Sequence, residues 1–412
     1  MASLNPTGDM PTPKAKPSLI IICHLPPPVH GASTVGQQIV ESRKLHAAFD
    51  CTVIPIRMTS GVGDLKSFAL SKMVAACKIY LRLLSQFFSG RPNAVYLTPT
   101  IDGYGLLRDC ICVLICRIFS VRCILHLHMR GVRNNYEQSA SYRFLYRTLF
   151  KNTDIIHLSE NLYDDVAPLI SPEKFHVVAN GVVDPGVQEA SDATSNEQRS
   201  TSDLPTILFL SNLDPEKGPL DLLEASQRLT QDGVAHKVIF AGAKVKMEVT
   251  AAIADAAAAS QHNSIILTGP VYDNDKQNLL KHADIFVFPS YYRYECQPLS
   301  IMEAMAYALP IAATKEGAIP ELLNQGECGV LFPAHDIESL TYELRQLIAN
   351  TNRRQQLGKK ARVRFLQHYS VEAFEQRFVA TMQRLVNNHS ADGTPIVSIT
   401  QSNTQTRSTF WK

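Results

Sequence analysis

From Ser18 onward the chain alternates short, continuous apolar runs with longer stretches of helical period. In the first half the runs are SLIIICHL (Ser18–Leu25), CTVIPI, AVYLTP, RCILHLH, TDIIHLS and FHVVAN; in the second they are TILFLS, HKVIFAG, SIILTG, DIFVFPS, PIAAT and CGVLF. Strands this uniformly apolar are buried on both faces, which calls for parallel sheet covered by helices. Between the two series lies QEASDATSNEQRSTSDLP (Gln188–Pro205), with almost no large apolar residue, which reads as a linker or a disordered loop. The pattern predicts an α/β protein with two tandem Rossmann-like domains, residues 18–187 and 206–370, and a cleft between them as the natural ligand site. After a break at HYS, a last helix over 371–386 is expected to pack back on the first domain, with residues 1–17 and 387–412 as disordered tails.

Composition adds an address and removes some classes. Of 412 residues, 45% are hydrophobic and 19% charged, ordinary for a globular protein with ample core. No uninterrupted apolar run reaches the roughly 18 residues of a membrane-spanning helix. The polar, Pro-rich start lacks the apolar core of a signal peptide, so a cytoplasmic location is expected. The nine cysteines show no paired CxxC spacing and read as small hydrophobes kept reduced. Net charge is only +2, but residues 1–190 carry 19 Lys/Arg against 14 Asp/Glu, and the remainder 21 against 24. That asymmetry is too mild for nucleic acid. It is compatible with a first half facing an anionic membrane surface at the periphery, and Lys72 to Arg91 mixes cations with aromatics at helical spacing. An ordinary amphipathic core helix is the blander reading of that segment, membrane-surface contact the sharper one.

The chemistry concentrates in YECQPLSIMEAMAYALP, Tyr294–Pro310. Pro298 suits a first helical position, because its missing N–H would be unpaired there, and Pro310 stops the helix. The first-turn amides, among them Leu299 and Ser300, offer donors to an anion or to sugar hydroxyls. Glu295 stands in the loop beside them and Glu303 lies one and a half turns deeper. Each carboxylate can accept two vicinal hydroxyls, which suits a ribose or a hexose. The spacing alone is equally compatible with a helix-dipole partner and a surface residue.

With DIFVFPS before it and PIAATKEGAIPELL after it, this stretch resembles the retaining GT-B glycosyltransferases of the large family that contains sucrose synthase and bacterial mannosyl- and hexosyltransferases. The resemblance covers most of residues 18–386, more strongly in the second half. It implies that Glu295 contacts the donor sugar and Glu303 the ribose hydroxyls. LDPEKGPLDLLEA resembles the donor-phosphate loop, which implies Lys217 on the diphosphate and close backbone approach at Gly218. LTGPV matches the segment that cradles the base, near Val271, and GECGVLF with Asp336 a closing segment of the donor domain. In the first domain PPPVHGAS resembles the glycine loop over the phosphates, with Gly31 in place. His128 of LHLHMRG aligns with a histidine that approaches the sugar, and ANGVV (Ala179–Val183) with the turn ending that domain. Asn212 stands where the family usually has an arginine, which removes a bidentate diphosphate contact and leaves Lys217.

The resemblance implies transfer of a sugar from a nucleoside-diphosphate sugar to an acceptor hydroxyl, with retention of anomeric configuration, in polysaccharide or glycolipid assembly. Lys217, Glu295 and His128 carry the catalytic expectation. Gly31, Asn212, Gly218, Val271, Leu299, Ser300 and Glu303 carry donor binding. The acceptor is a sugar or a lipid-linked sugar, and no metal or other cofactor is expected. DND (Asp273–Asp275) looks like a metal-binding DxD, but its place before KQNLLKHA reads as a helix N-cap. No GxGxxG follows the first strand, which argues against dinucleotide binding. His126 shares a strand face with His128, and a satisfied core role stays open for either. Two rival functions fit the same fold: a nucleotide-sugar 2-epimerase, and a non-catalytic nucleotide-sugar-binding relative suggested by Asn212.

Overall fold

The structure, a computed structural model, describes residues 15–56, 65–186, 204–260 and 264–387. Most of the expected linker and tails lies outside the described residues.

Two six-stranded sheets form, and every pairing in them is parallel. The first holds β1 (Ser18–His24), β2 (Asp50–Ile56), β3 (Ala94–Leu97), β4 (Arg122–His126), β5 (Asp154–His157) and β6 (Phe175–Val177), in the order β2-β1-β3-β4-β5-β6. The second holds β7 (Thr206–Leu210), β8 (Lys237–Ala241), β9 (Ile265–Gly269), β10 (Ile285–Phe288), β11 (Ile311–Thr314) and β12 (Val330–Phe332). Its order, β12-β11-β10-β7-β8-β9, is the doubly wound Rossmann arrangement. Every residue of β3, β5, β10 and β11 is buried, in β5 including the polar ends Asp154 and His157. In each sheet the strand order reverses beside the first strand, at β1/β3 and at β7/β10. Ligands of such sheets sit at the carboxyl ends flanking the reversal.

Helices α1 (Gly31–Glu41) and α2 (Arg43–Ala48) cover one face of the first sheet. Helices α3 (Leu65–Ser89), α4 (Gly103–Ile118), α5 (Val132–Gln138) and α6 (Ala140–Phe150) cover the other. The C-terminal helix, Val371–Asn387, returns to the α1 face. There it buries Phe374, Phe378, Met382 and Leu385 against Leu19, Ile21, Tyr96 and Val178. Each such side chain contributes about 1.5–3 kcal/mol by leaving water. The chain thus crosses between domains twice, and the crossings bond to each other. The Val182 amide donates to the Tyr369 carbonyl (2.9 Å), and the Val371 amide to the Val182 carbonyl (3.0 Å). Gly181 sits in this seam, where a β-carbon would come within 2.6 Å of Phe374 and 2.7 Å of the Ser370 carbonyl.

Several local expectations change. Pro298 keeps extended backbone (ψ 123°) and is the N-cap, so the helix begins at Leu299. That helix ends at Ala306, before Pro310, because Ala308 turns into the left-handed region (φ 55°). At DND the N-cap is Tyr272; Asp273 and Asp275 lie in the first turn and make no side-chain cap bond. β4 stops at His126, so His128 lies in the segment beyond it. Cys77 is exposed, unlike Cys110, Cys112 and Cys116, which are buried.

Candidate active site

A cleft of about 1600 Å³ opens between the two sheets at the carboxyl ends of their strands. The first domain lines it with His24 at the end of β1, with the N-cap His30 and with Gly31 and Ala32 at the start of α1, with Thr98–Thr100 after β3, and with His128 after β4. The second contributes Asn212 and Lys217 after β7, and Tyr292 and Tyr294–Ser300 after β10. Both topological reversals therefore face one space.

On the second-domain wall, Lys217 and Glu295 form an ion pair, Nζ to Oε2, at 2.7 Å. The same oxygen accepts the Ser290 hydroxyl at 2.7 Å. Oε1 receives no hydrogen bond from the described residues and stays available to a ligand. Lys217 also lies 4.2 Å from the centroid of the Tyr292 ring, a cation–π contact. The short turn Pro215–Lys217 is tied to the glutamate loop, because the Tyr291 amide donates to the Glu216 carbonyl (2.8 Å). Gly218 makes the turn possible. Its φ is +73°, and a β-carbon there would lie 2.2 Å from the Pro289 carbonyl oxygen.

Two helix N-termini face each other across the cleft. A β-carbon on Gly31 would meet Leu299 at 4.0 Å. The His30 ring accepts the Ser33 amide (3.3 Å) while the Ser33 hydroxyl accepts the His30 amide (2.9 Å). This capping box satisfies the Ser33 amide and leaves the amides of Gly31 and Ala32 without a partner among the described residues. From the other side, the helix Leu299–Ala306 starts at Pro298 with no side-chain cap bond, so its first turn also faces the cleft uncapped. The geometry suits an anion held between two sets of amides with Lys217 beside it.

His128 contributes a neutral imidazole. Burial, with His24 and His30 nearby, pushes its pKa down to about 3. Both its ring nitrogens are buried without a partner among the described residues, and its ring lies tilted against that of His126, centroids 4.2 Å apart. His126 is anchored by the Tyr96 hydroxyl at Nδ1 (2.7 Å), so the core role belongs to His126. An imidazole that lines a cleft with unused nitrogens can donate to or accept from a hydroxyl of a bound sugar.

The cleft brings together Gly31, His128, Asn212, Lys217, Glu295, Leu299 and Ser300. Asn212 is exposed, and its side chain makes no hydrogen bond to the described residues. Gly218, Val271 and Glu303 are not on the lining. Val271 packs against the second-domain core, and Glu303 is paired with Lys276 at 2.7 Å. Asp336 caps the helix Ile337–Ala349, accepting the Ser339 amide (2.9 Å). Sequence reasoning missed Ser290, Tyr292 and Arg108. Arg108 lines the first-domain wall and is fixed by the buried Asp109 at 2.8 Å. The RD dipeptide was a signal for Arg108, since a carboxylate at an inward helix position needs a cation.

Residues 191–364 match the family of glycosyl transferases group 1. Among curated proteins, the chain is 29% identical over 248 residues to alpha-maltose-1-phosphate synthase of Mycolicibacterium smegmatis, covering 54% of this chain and 61% of that protein. It is 29% identical over 224 residues to the MMP alpha-(1->4)-mannosyltransferase of Mycolicibacterium hassiacum, covering 53% and 50%. The match thus spans 50% to 61% of the length of these two relatives. Among solved structures, sucrose-phosphate synthase of Thermosynechococcus elongatus aligns with TM-score 0.68 at 15% identity, over 90% of this chain and 100% of that one. Anabaena HepE, solved with UDP and glucose, aligns with TM-score 0.65 at 16% identity over 89% and 100%. Residues 191–364 thus carry the match to group 1 glycosyl transferases, and the two-sheet architecture of the described residues, shared with these solved structures, is the GT-B fold.

Proposed function

We propose that the chain transfers a sugar from a nucleoside-diphosphate sugar to an acceptor hydroxyl, with retention of anomeric configuration and without a metal. Polysaccharide or glycolipid assembly is the proposed setting. The observation that carries this reading is the Lys217–Glu295 pair at the β7/β10 reversal, facing His128 and the start of α1 across the cleft. A donor diphosphate between the two helix N-termini would draw Lys217 from its present partner and place the ammonium where charge grows as the glycosidic bond breaks. Glu295, already fixed by Ser290, keeps Oε1 for the sugar hydroxyls, and His128 meets the sugar from the first domain. Glu295 is held by Ser290 and presents Oε1 to the sugar hydroxyls, which leaves no side chain as an obvious covalent nucleophile, so front-face attack by the acceptor is favoured.

The test is a thermal-shift screen against a panel of nucleotide sugars, since a ligand that binds only the folded state raises apparent stability. The hit is then followed with and without acceptors. Product glycoside with the donor's anomeric configuration supports the proposal. Epimerised sugar formed without an acceptor points to the 2-epimerase, and binding without turnover to a non-catalytic relative. Turnover should survive EDTA. Loss with EDTA that manganese or magnesium restores would put Asp273 and Asp275 back in question.

A further inference from the structure

The three helices α3, α4 and α6 lie side by side on one face of the first sheet. Phe87 and Phe88 of α3 pack on Phe119, just past α4, with ring centroids 5.0 and 5.5 Å apart. The Cys110 thiol of α4 contacts the Leu145 carbonyl of α6 at 3.3 Å. Their inner positions fill the core, and among their outer positions runs a series of exposed apolar side chains. On α4, Tyr104, Leu107, Leu114 and Ile118 are 42%, 46%, 43% and 78% exposed. With the half-buried Ile111 they follow the i, i+3, i+7, i+10, i+14 spacing of one helical stripe. Flanking it, Leu81 and Phe88 of α3 are 66% and 79% exposed, and Phe144 of α6 is 71% exposed. Apolar side chains scattered singly over a surface need no explanation, but a contiguous patch marks an interaction site.

The charges on these helices are one-sided. Asp109 is the single acidic residue in α3, α4 and α6. It is buried and matched by Arg108. Lys78, Arg82, Arg143 and Arg147 are all exposed, at the margins of the apolar stripe. Next to this face, Glu137 of α5 is balanced by Arg133 at 3.0 Å. Asp102, just before α4, is half-buried on the cleft. A second copy meeting this face about a twofold axis would bring two cationic rims together, and like charges so placed repel.

We propose that this face docks on the surface of an anionic lipid bilayer, with the α4 stripe, Leu81, Phe88 and Phe144 entering the headgroup boundary and the Lys/Arg rim against lipid phosphates. A flat amphipathic face with an apolar middle and cationic edges is the form that interfacial binding takes. No helix among the described residues is long and apolar enough to cross a membrane, so the contact is with one leaflet. Tyr104, Lys78 and Arg82 also line the cleft, so docking sets the cleft mouth at headgroup level. The further step, that this delivers an acceptor held in the bilayer, rests on the transferase reading above.

The experiment is co-sedimentation of the full chain with phosphatidylcholine vesicles and with vesicles containing phosphatidylglycerol, at low and high salt. The wild type is expected to pellet with the anionic vesicles at low salt, about tenfold less with neutral ones, and to be released as salt screens the rim. Ile118→Asp and Phe144→Asp, both at exposed positions, and Arg143→Glu should each lower anionic-vesicle binding while keeping the thermal shift given by a nucleotide sugar. No pelleting at low salt overturns the proposal, and so does undiminished pelleting of both Asp variants. Sedimentation velocity provides a further check: a dimer that Ile118→Asp splits into monomers would make the face a self-interface and overturn it equally. Vesicle binding without any donor shift would leave the docking face standing and remove the transferase reading instead.

Discussion

One oxygen of Glu295 accepts both the Lys217 ammonium and the Ser290 hydroxyl, so loss of either residue of the pair affects the other. Lys217→Ala should depress single-turnover rate severely, because it removes charge needed mainly in the transition state. Asn212→Ala should lower the rate modestly, since an exposed amide supplies only a neutral donor. Equal damage from the two would make Asn212 an essential contact. Glu303→Ala should weaken donor binding by roughly 1.5–3 kcal/mol if it holds the ribose. Lys276→Ala, which removes only its present partner, is the control. Calorimetry showing unchanged donor affinity for Glu303→Ala would leave Glu303 as half of a surface pair. Lys217 and Glu295 could be read from sequence because each is set in a strand–loop–helix frame that fixes where it points. Tyr292 and Ser290 could not, because a cation–π contact and a supporting hydroxyl leave no spacing signal.

The strands of both sheets were legible as elements, since runs such as DIFVFPS can be buried on both faces in no other way. Their ends were not. His128 was read within a strand that stops at His126, and Pro298 as a helical residue where it caps. Such boundaries depend on which backbone groups find partners in the fold, and composition does not record that. The turn at Gly218 gives a test at this scale. Gly218→Ala combines a left-handed backbone with a β-carbon placed 2.2 Å from the Pro289 carbonyl. It should cost about 1–3 kcal/mol, seen as a lowered Tm, with loss of donor binding as Lys217 moves. An unchanged Tm would mean that the turn can re-form around a side chain.

On and beneath the cleft wall the molecule carries a group of histidines kept neutral by burial. The pKa of His24 falls to about 4, and those of His128 and His157 to about 3. Burial likewise holds His126 well below its ordinary value. In the unfolded chain each titrates near 6.5, so between that pH and the folded values the unfolded state binds more protons. Their effect is absent at neutral pH, and stability is lost as pH falls below about 6.5, at up to about 1.4 kcal/mol per pH unit for each histidine. Tm should therefore drop steeply between pH 7 and pH 5, and a flat profile there would show these rings reaching solvent when protonated.

The two crossings between domains, bonded side by side at Val182, Tyr369 and Val371, have a consequence for how the molecule can move and how it can be divided. Two segments of chain held by a single bridge at Val182 and Ser370 act as a short axle, which favours swinging about one line over sliding or twisting. Opening of the cleft is thus restricted to one kind of excursion, and Gly181, with no room for even a methyl group, sits on the axle. A valine there should seize it, slowing exchange of ligands while leaving both sheets folded. The same return path means that cutting the gene between the sheets yields no autonomous first half. A fragment ending at residue 186 would leave bare the surface that Phe374, Phe378 and Met382 cover, and should recover solubility only when the complementary fragment is supplied in trans.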